Sequence, residues 1–388
     1  MTTVGAVRER AAGERRVCLV PDAIGRLTSM GIEVVVEAGA GEGARIPDQA
    51  YEKAGARVLP TADAVYESAD VIACVGPPDG PLRAGQMLVG MLDPLRRPQQ
   101  VRRWLEQNVT AVSLDLLPRT LSRAQAMDAL SSQATLAGYK AVLVAANAFG
   151  RYFPMLTTAA GTSPPARVLV LGAGVAGLSA IGTARRLGAV VTAFDIRPQA
   201  RAEAESVGAR FLELSLAGRG EGTAGYARAL TSEEQHTLQQ ELARHVSRFD
   251  AVIATAQVPG RRPPLLVVAE ALEEMDPGSV VVDVACSDLG GNVEGSVPDT
   301  TTVTPGGVTV IGAGNLPAQM APAASAAYAR NLTALLAYLF PDGVARLDPS
   351  DEIQAGVLVT HDGAVVNRAV AELLAGEGAS WAPTWSSS

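Results

Sequence analysis

The sequence predicts an α/β protein of two Rossmann-like doubly wound domains, the first of them discontinuous. Three observations carry that reading. Residues 1–117 alternate short β-branched runs with helical patterns, a pitch that implies a parallel sheet with helices on both faces. A second alternating series opens at RVLVLG on a glycine-rich turn between a strand and a helix. The chain then closes on a long helical run and a tail too short to fold alone.

In order, VGAV, IEVVVEAG (32–39), ARVL (56–59), DVIACVG (70–76), QMLVGML (86–92) and VTAVSLDLL (109–117) read as strands. DAIGRLTSMG, DQAYEKAG, ADAVYES and PQQVRRWLEQN supply the helices between them. A helix-like run, MDALSSQATLAGYKAVLVAANAFG, leads into a Pro/Gly/Thr-rich connector, LTTAAGTSPPA (156–166). The second series has strands at VLVL (168–171), VVTAF (190–194), DAVIAT (250–255), SVVVDV (279–284) and VTVIG (308–312). GRGEGTAGYARALTSEEQ (218–235) is Gly-rich and polar, and reads either as a mobile loop or as surface filler. The tail VLVTHDGAVVNRAVAELL is expected to return to the first domain. The expected division is therefore 1–140 plus 320–388, with 141–319 inserted.

Composition bounds the function classes. Over 388 residues, 48% apolar and 19% charged describe a globular chain with sizeable cores. A net charge of −8 without a basic cluster argues against nucleic acid as a partner. The opening MTTVGAVRERAAGERR puts charge where a signal peptide needs an apolar core. AASAAYARNLTALLAYLF (323–340) is interrupted by Arg330 and reads as a buried or amphipathic helix. A cytoplasmic chain is expected, with no direct membrane insertion and any membrane link made through a partner. Cys18, Cys74 and Cys286 lie far apart without C-x-x-C spacing, so they read as buried thiols and no metal site is expected.

The most specific motif is RVLVLGAGVAGLSAIGTARRLGAVVTAFDIRP. It places Gly172, Gly174 and Gly177 directly after a strand and at the start of a helix. The first glycine permits the tight turn, and the second lets backbone approach a pyrophosphate. The third lets helix and strand pack closely, while the helix N-terminus supplies a positive dipole. Asp195 ends the next strand, where a carboxylate accepts from a ribose 2′-OH and repels a 2′-phosphate. NAD(H) is therefore the expected cofactor, and 141–319 the domain that binds it. Arg197 is a counter-signal, because an arginine there can hold a 2′-phosphate.

Acid/base chemistry is nearly missing. A dehydrogenase acting on an alcohol or amine must move a proton as well as a hydride. Yet the first six strands contain no lysine or histidine. His236 and His245 fall in a helical, polar run, and His361 sits in a turn-like VTHDG. PRTLSRAQAMDALSS (118–132) instead offers Arg119, Arg123, Gln125, Asp128 and Ser131, groups that orient a polar ligand without supplying a proton. Hydride transfer between two nicotinamides needs orientation and a dry gap only.

These stretches, SRAQAMDALSSQATLAGYKAV, FPMLTTAAGTSPPARVLVLGAGVAGL, GYA (225–227), VPGRRPP (258–264), PGSVVVDVA and NLP (315–317), closely resemble the NAD(H)-binding alpha subunit of proton-translocating NAD(P) transhydrogenase. The resemblance covers nearly the whole chain. It implies that Gln125, Asp128 and Ser131 contact the nicotinamide or its ribose, with Arg119 at the start of that loop. It places Ala173, Gly174 and Val175 along the pyrophosphate and Asp195 and Arg197 at the adenine ribose. Gly225 and Tyr226 would belong to a loop closing over nucleotide. It further implies a homodimer, a membrane-embedded subunit and a partner subunit presenting NADP(H).

Alanine dehydrogenase shares the fold and places a substrate lysine after the fourth strand and a histidine after the fifth. Here those places hold Gly76 and Asp93. Arg16, in ERRV, matches its substrate arginine and equally suits a structural charge. Three departures stand out: PRTLSRAQ is one residue longer than the family pattern, leaving Arg119 or Arg123 as the loop arginine. DVACSDLGGN is also longer by one, and Gln257 replaces an expected leucine beside the cofactor. Two alternatives stay open: an amino-acid or imine dehydrogenase that recruits Asp93 or Asp288, and a non-catalytic NAD-binding regulator.

Overall fold

Alternation along the strands builds two sheets, each buried on both faces. Val34 and Val36 enter one core while Val35 enters another, and Val168 and Val170 divide from Leu169 and Leu171 in the same way. The computed structural model describes residues 1–220, 222, 228, 230–257 and 260–376. By contacts the chain divides into two units, Met1–Gln133 joined by the chain from Ala318 onward, and Ala134–Pro317.

In the first unit, β1 (Thr3–Ala6), β2 (Glu33–Glu37), β3 (Arg57–Leu59), β4 (Val71–Ala73), β5 (Met87–Gly90) and β6 (Thr110–Ser113) are parallel. The connecting helices are α1 (Pro21–Ser29), α2 (Asp48–Lys53), α3 (Ala62–Ser68) and α4 (Pro98–Glu106). The sheet order is β3-β2-β1-β4-β5-β6, so the winding reverses between β1 and β4. Helix α5 (Ala129–Ala148) starts in this unit and continues into the second.

The second unit opens with a separate hairpin, β7 (Leu156–Thr158) and β8 (Gly161–Ser163), where the sequence reads as a connector. Gly161, at φ +123°, closes a turn too short to leave a sequence signal beyond its glycine. β9 (Arg167–Leu171), α6 (Val175–Arg186), β10 (Val190–Phe194), α7 (Ala200–Ser206), β11 (Arg210–Phe211), α8 (Ser232–Val246) and β12 (Ala251–Ala254) follow. Then come α9 (Ala269–Glu273), β13 (Val280–Asp283), β14 (Thr300–Val303) and β15 (Thr309–Gly312). The sheet order is β11-β10-β9-β12-β13-β15-β14, parallel except for the edge strand β14, and the winding reverses between β9 and β12. Exposed TTTV gives β14 no apolar alternation, so the pattern hides it.

The chain ends in the first unit. α10 (Ala321–Leu339) packs Tyr328, Leu332, Leu335 and Leu336 into its core. α11 (Glu352–Val357) leads to β16 (Leu358–His361), which pairs antiparallel with β6, then to β17 (Ala364–Val365) and α12 (Arg368–Gly376). Among the described residues no helix is long and apolar enough to cross a membrane.

Candidate functional site

The glycine turn leaves β9 at the point where the second sheet reverses. Gly172 holds φ +93°, which a side chain rarely adopts, and an added Cβ would lie 2.9 Å from Thr255 Oγ1. At Gly177 an added Cβ would lie 1.9 Å from the Gly172 carbonyl oxygen, so α6 rests directly on the turn. Gly174 differs. It is the N-cap of α6 without a side-chain cap, and an added Cβ would meet nothing nearer than Arg197 Nη2 at 3.9 Å. Open space thus adjoins Gly174 at the positive end of a twelve-residue helix, beginning at Val175, whose first-turn N–H groups have no side-chain cap. This cradle fits a dinucleotide's pyrophosphate, and a methyl group at position 174 would fill it.

Two further features set the turn. Gly138 on α5 lies so close to α6 that a Cβ would come 1.9 Å from the Ala176 carbonyl oxygen, and Ser179 Oγ donates to the Thr135 carbonyl at 2.7 Å. Thr255, beyond β12, donates to the Gly172 carbonyl at 2.9 Å.

Asp195 is buried at the end of β10 and already engaged. Its Oδ2 accepts from the Ala173 N–H at 2.8 Å and from Arg197 Nη2 at 2.9 Å. Its Oδ1 accepts from the Arg197 N–H at 2.8 Å and Nε at 3.1 Å. The pairing raises the Arg197 pKa further above its ordinary value, against the opposing effect of burial. The Ala173 N–H therefore serves Asp195 rather than facing outward as the pyrophosphate role would have it.

Beyond β12 and β13, sequence reasoning missed Asn292. Fully buried, it accepts from the Ala256 N–H at 2.9 Å and donates through Nδ2 to the carbonyls of Ala256 and Pro264. It thereby holds the strand exit that carries Gln257, which is itself exposed. Asp283, also fully buried, accepts from Ser296 Oγ and the N–H groups of Val293 and Ala285. Burial raises its pKa despite those bonds. The longer DVACSDLGGN segment closes on itself, with Ser287 and Gly290 exchanging both backbone hydrogen bonds. A buried Asn reveals its role only through partners distant in sequence.

Gly225 and Tyr226 lie outside the described residues. At the loop's far end, Arg228 forks onto Glu234 at 2.8 and 2.5 Å. That pair holds the Glu234 carboxyl down at about 2, and Glu234 completes a capping box with Thr231 at the start of α8. His236 is exposed on α8, and His245 has its pKa lowered by burial and by Arg248.

In the first unit, Ser122–Met127 form a 3₁₀ turn. Ala124 and Met127, three residues apart, both pack into the core, which turns Gln125 outward. Asp128 then caps α5, accepting from the Ser131 N–H at 2.9 Å. Its Oδ2 accepts from Ser131 Oγ at 2.6 Å and from Arg119 Nε at 3.0 Å, while Arg119 Nη2 donates to Ser131 Oγ at 2.7 Å. Arg123 goes elsewhere, 3.1 Å from Asp351 and within reach of Tyr338. The structure thus brings Arg119, Asp128 and Ser131 together, leaves Gln125 exposed beside them in sequence, and takes Arg123 away.

Arg16 is only 7% exposed and fully engaged: Nε and Nη2 fork onto Glu14, and Nη1 donates to Gln133 Oε1 at 2.8 Å. Gln133 in turn donates to the Ala324 carbonyl. Asp93 occupies a left-handed conformation at φ 49°, its N–H held by Asp115 Oδ2 at 2.6 Å. Cys18, Cys74 and Cys286 are all buried free thiols, and no group of three potential metal ligands occurs among the described residues.

Known proteins fall into line with this geometry. Residues 5–137 match the model of the alanine dehydrogenase/PNT N-terminal domain, and residues 141–368 that of the alanine dehydrogenase/PNT C-terminal domain. The chain belongs to the alanine dehydrogenase/PNT family. Within it, the chain is 44% identical to NAD(P) transhydrogenase subunit alpha of Cereibacter sphaeroides over 93% of its length and 70% of that protein's. It is 40% identical to the first part of NAD(P) transhydrogenase subunit alpha of Rhodospirillum rubrum, covering 96% of this chain and 98% of that one. The crystal structure of transhydrogenase from Sinorhizobium meliloti superposes with a TM-score of 0.83 at 42% identity, covering 94% and 99% of the two chains.

Proposed function

We propose that this chain is the NAD(H)-binding alpha subunit of a proton-translocating NAD(P) transhydrogenase, passing hydride from NADH to NADP+ held on a partner subunit. The observation that carries the reading is the Arg119–Asp128–Ser131 constellation. Its three side chains hydrogen-bond one another and so are pre-oriented to meet a carboxamide and ribose, and the segment 118–132 holds no lysine or histidine. Bound NADH supplies the hydride. Arg119, Asp128, Ser131 and the outward-facing Gln125 position the nicotinamide. The α6 N-terminus at Gly174 and Val175 takes the pyrophosphate, and Asp195 with Arg197 the adenine ribose. The names borne by the relatives in Cereibacter sphaeroides and Rhodospirillum rubrum support the same assignment.

Three finer points belong to this reading. A membrane-embedded subunit couples the transfer to proton movement, while this chain sits at the cytoplasmic surface and binds neither lipid nor nucleic acid. Two copies associate: Tyr152 and Met155, 60% and 63% exposed, lie just before the separate β7–β8 hairpin, and a second copy would cover them. The chain binds NADH in preference to NADPH. The deciding experiment follows hydride exchange from NADH to an oxidised NADP analogue, with and without an NADP(H)-binding transhydrogenase subunit. Transfer should require both proteins. Robust amino-acid oxidation by the purified chain alone would overturn the proposal in favour of the alanine dehydrogenase branch. That branch is disfavoured because Arg16 is committed to Glu14 and Gln133, and because Gly76 and Asp93 stand where its lysine and histidine belong.

A further inference from the structure

Two stretches that the transfer site leaves unused meet at the carboxyl end of the second sheet. The first is VPGRRPP, whose Arg261 and Arg262 follow β12 and are both exposed. Among the described residues neither guanidinium has an ion-pair partner. The second is the longer DVACSDLGGN segment after β13. There Ser287 and Gly290 exchange backbone hydrogen bonds, and the Leu289 N–H donates to Ser287 Oγ at 3.3 Å. The turn leaves the Leu289 side chain in solvent, 38% exposed. Arg262 rests against it, for a Cβ added at Gly290 would lie 3.4 Å from Arg262 Nε. The mounting is rigid: buried Asn292 holds the Ala256 N–H and carbonyl before the arginines and the Pro264 carbonyl after them.

The chain carries 40 acidic and 32 basic residues, so at long range it repels an acidic partner and only a local excess of positive charge can orient one. Two fixed guanidiniums beside an exposed leucine are such an excess, and arginine around an apolar centre is the composition of interface cores. The same edge of the sheet holds the glycine turn after β9 and Asp195 after β10. A protein that takes hydride must bring its acceptor to about 3–3.5 Å from the nicotinamide, so it has to cover part of this edge. Resting on the transhydrogenase reading, we propose that Arg261, Arg262 and Leu289 form the docking point for the NADP(H)-binding subunit. That subunit meets them with carboxylates flanking an apolar contact. The arginines steer and seat the partner and do not touch NADH.

The test titrates a purified NADP(H)-binding transhydrogenase subunit into the full chain loaded with NADH, by calorimetry at low and at high salt. The double substitution Arg261→Glu with Arg262→Glu should raise the partner's Kd roughly tenfold or more at low salt, and the gap should close as salt rises. Leu289→Ser should weaken docking by a few fold at both salts, because its contribution is apolar. Hydride transfer by the double variant should recover at saturating partner. Its Kd for NADH should stay within about twofold of wild type. If the wild type binds the partner and the charge-reversed variant binds it equally well, the docking point is wrong and the transhydrogenase reading still stands. A wild type that binds no NADP(H)-binding subunit would sink both. A tenfold loss of NADH affinity in the variant would assign the arginines to the dinucleotide and overturn the inference.

Discussion

Arg197 closes over Asp195, its side chain and its own N–H donating to both carboxylate oxygens while the Ala173 N–H from the glycine turn donates a fourth bond. The carboxylate therefore ties the turn after β9 to the end of β10, and a ribose hydroxyl must share or displace the arginine to reach it. Asp195→Asn removes the negative charge that these four bonds share, and a hydrogen bond to a charged group is worth about 1.5–3 kcal/mol. NADH affinity should fall roughly tenfold to a hundredfold, and discrimination against NADPH should narrow, because no charge then repels a 2′-phosphate. Calorimetric titration with both nucleotides checks this, and unchanged selectivity would count against the ribose role.

The three glycines should separate stability from binding. Gly177→Ala drives a methyl group into the Gly172 carbonyl, so it should lower Tm and abolish NADH binding together. Gly174→Ala meets open space and an ordinary φ of −75°. Its Tm should stay within about 2 °C of wild type, consistent with a small cap penalty, while NADH affinity drops as the methyl occupies the pyrophosphate approach. Equal affinity for Gly174→Ala and wild type would remove the cradle from the site.

The two arginines of PRTLSRAQ should part company. Arg119→Ala releases Asp128 and Ser131 from their common donor, and misorientation by about 1 Å costs roughly a hundredfold in rate. Hydride transfer in the reconstituted system should slow on that scale with little change in NADH affinity. Arg123→Ala should leave transfer within about twofold, since surface ion pairs contribute little. Stopped-flow transfer rates for the two variants make the comparison, and a reversed order would reassign the loop arginine.

Stability should depend on pH through Glu9. Burial pushes its carboxyl from 4.5 up to about 7, offset in part by the Val75 and Gly76 N–H groups. Because the folded state holds the proton more tightly, this stabilisation is full below pH 4.5 and is lost as pH rises through about 7. Asp115, raised from 3.8 to about 6, acts in the same direction between those values. Glu9→Gln should flatten the fall in urea midpoint between pH 5 and 8, an effect on the order of 1–3 kcal/mol. An unchanged pH profile would mean that Glu9 does not titrate there.

Much of this protein is legible in local pattern. β-branched alternation marks the buried strands because a strand covered on both faces has few polar positions, and the glycine motif is readable because backbone geometry allows nothing larger at Gly172 and Gly177. The edge strand β14 and the β7–β8 hairpin escape, since exposed threonines carry no hydrophobic period. The polar segment 118–132 is visible as a group of orienting residues, and Asp128 as a helix-cap residue type. Which arginine joins it is not: Arg119 precedes the 3₁₀ turn and reaches Asp128, while Arg123 lies within the turn, whose facing is set by Ala124 and Met127 seating in the core, and pairs with Asp351. Asn292, Gln133 and Glu9 act on partners far away in the chain, at Ala256, Arg16 and Gly76. Fold class, the cofactor turn and the lack of acid/base groups are set by residue type and spacing, so the linear chain carries them. Which polar groups are spent on one another is settled only by folding, because a hydrogen bond is a property of two positions in space.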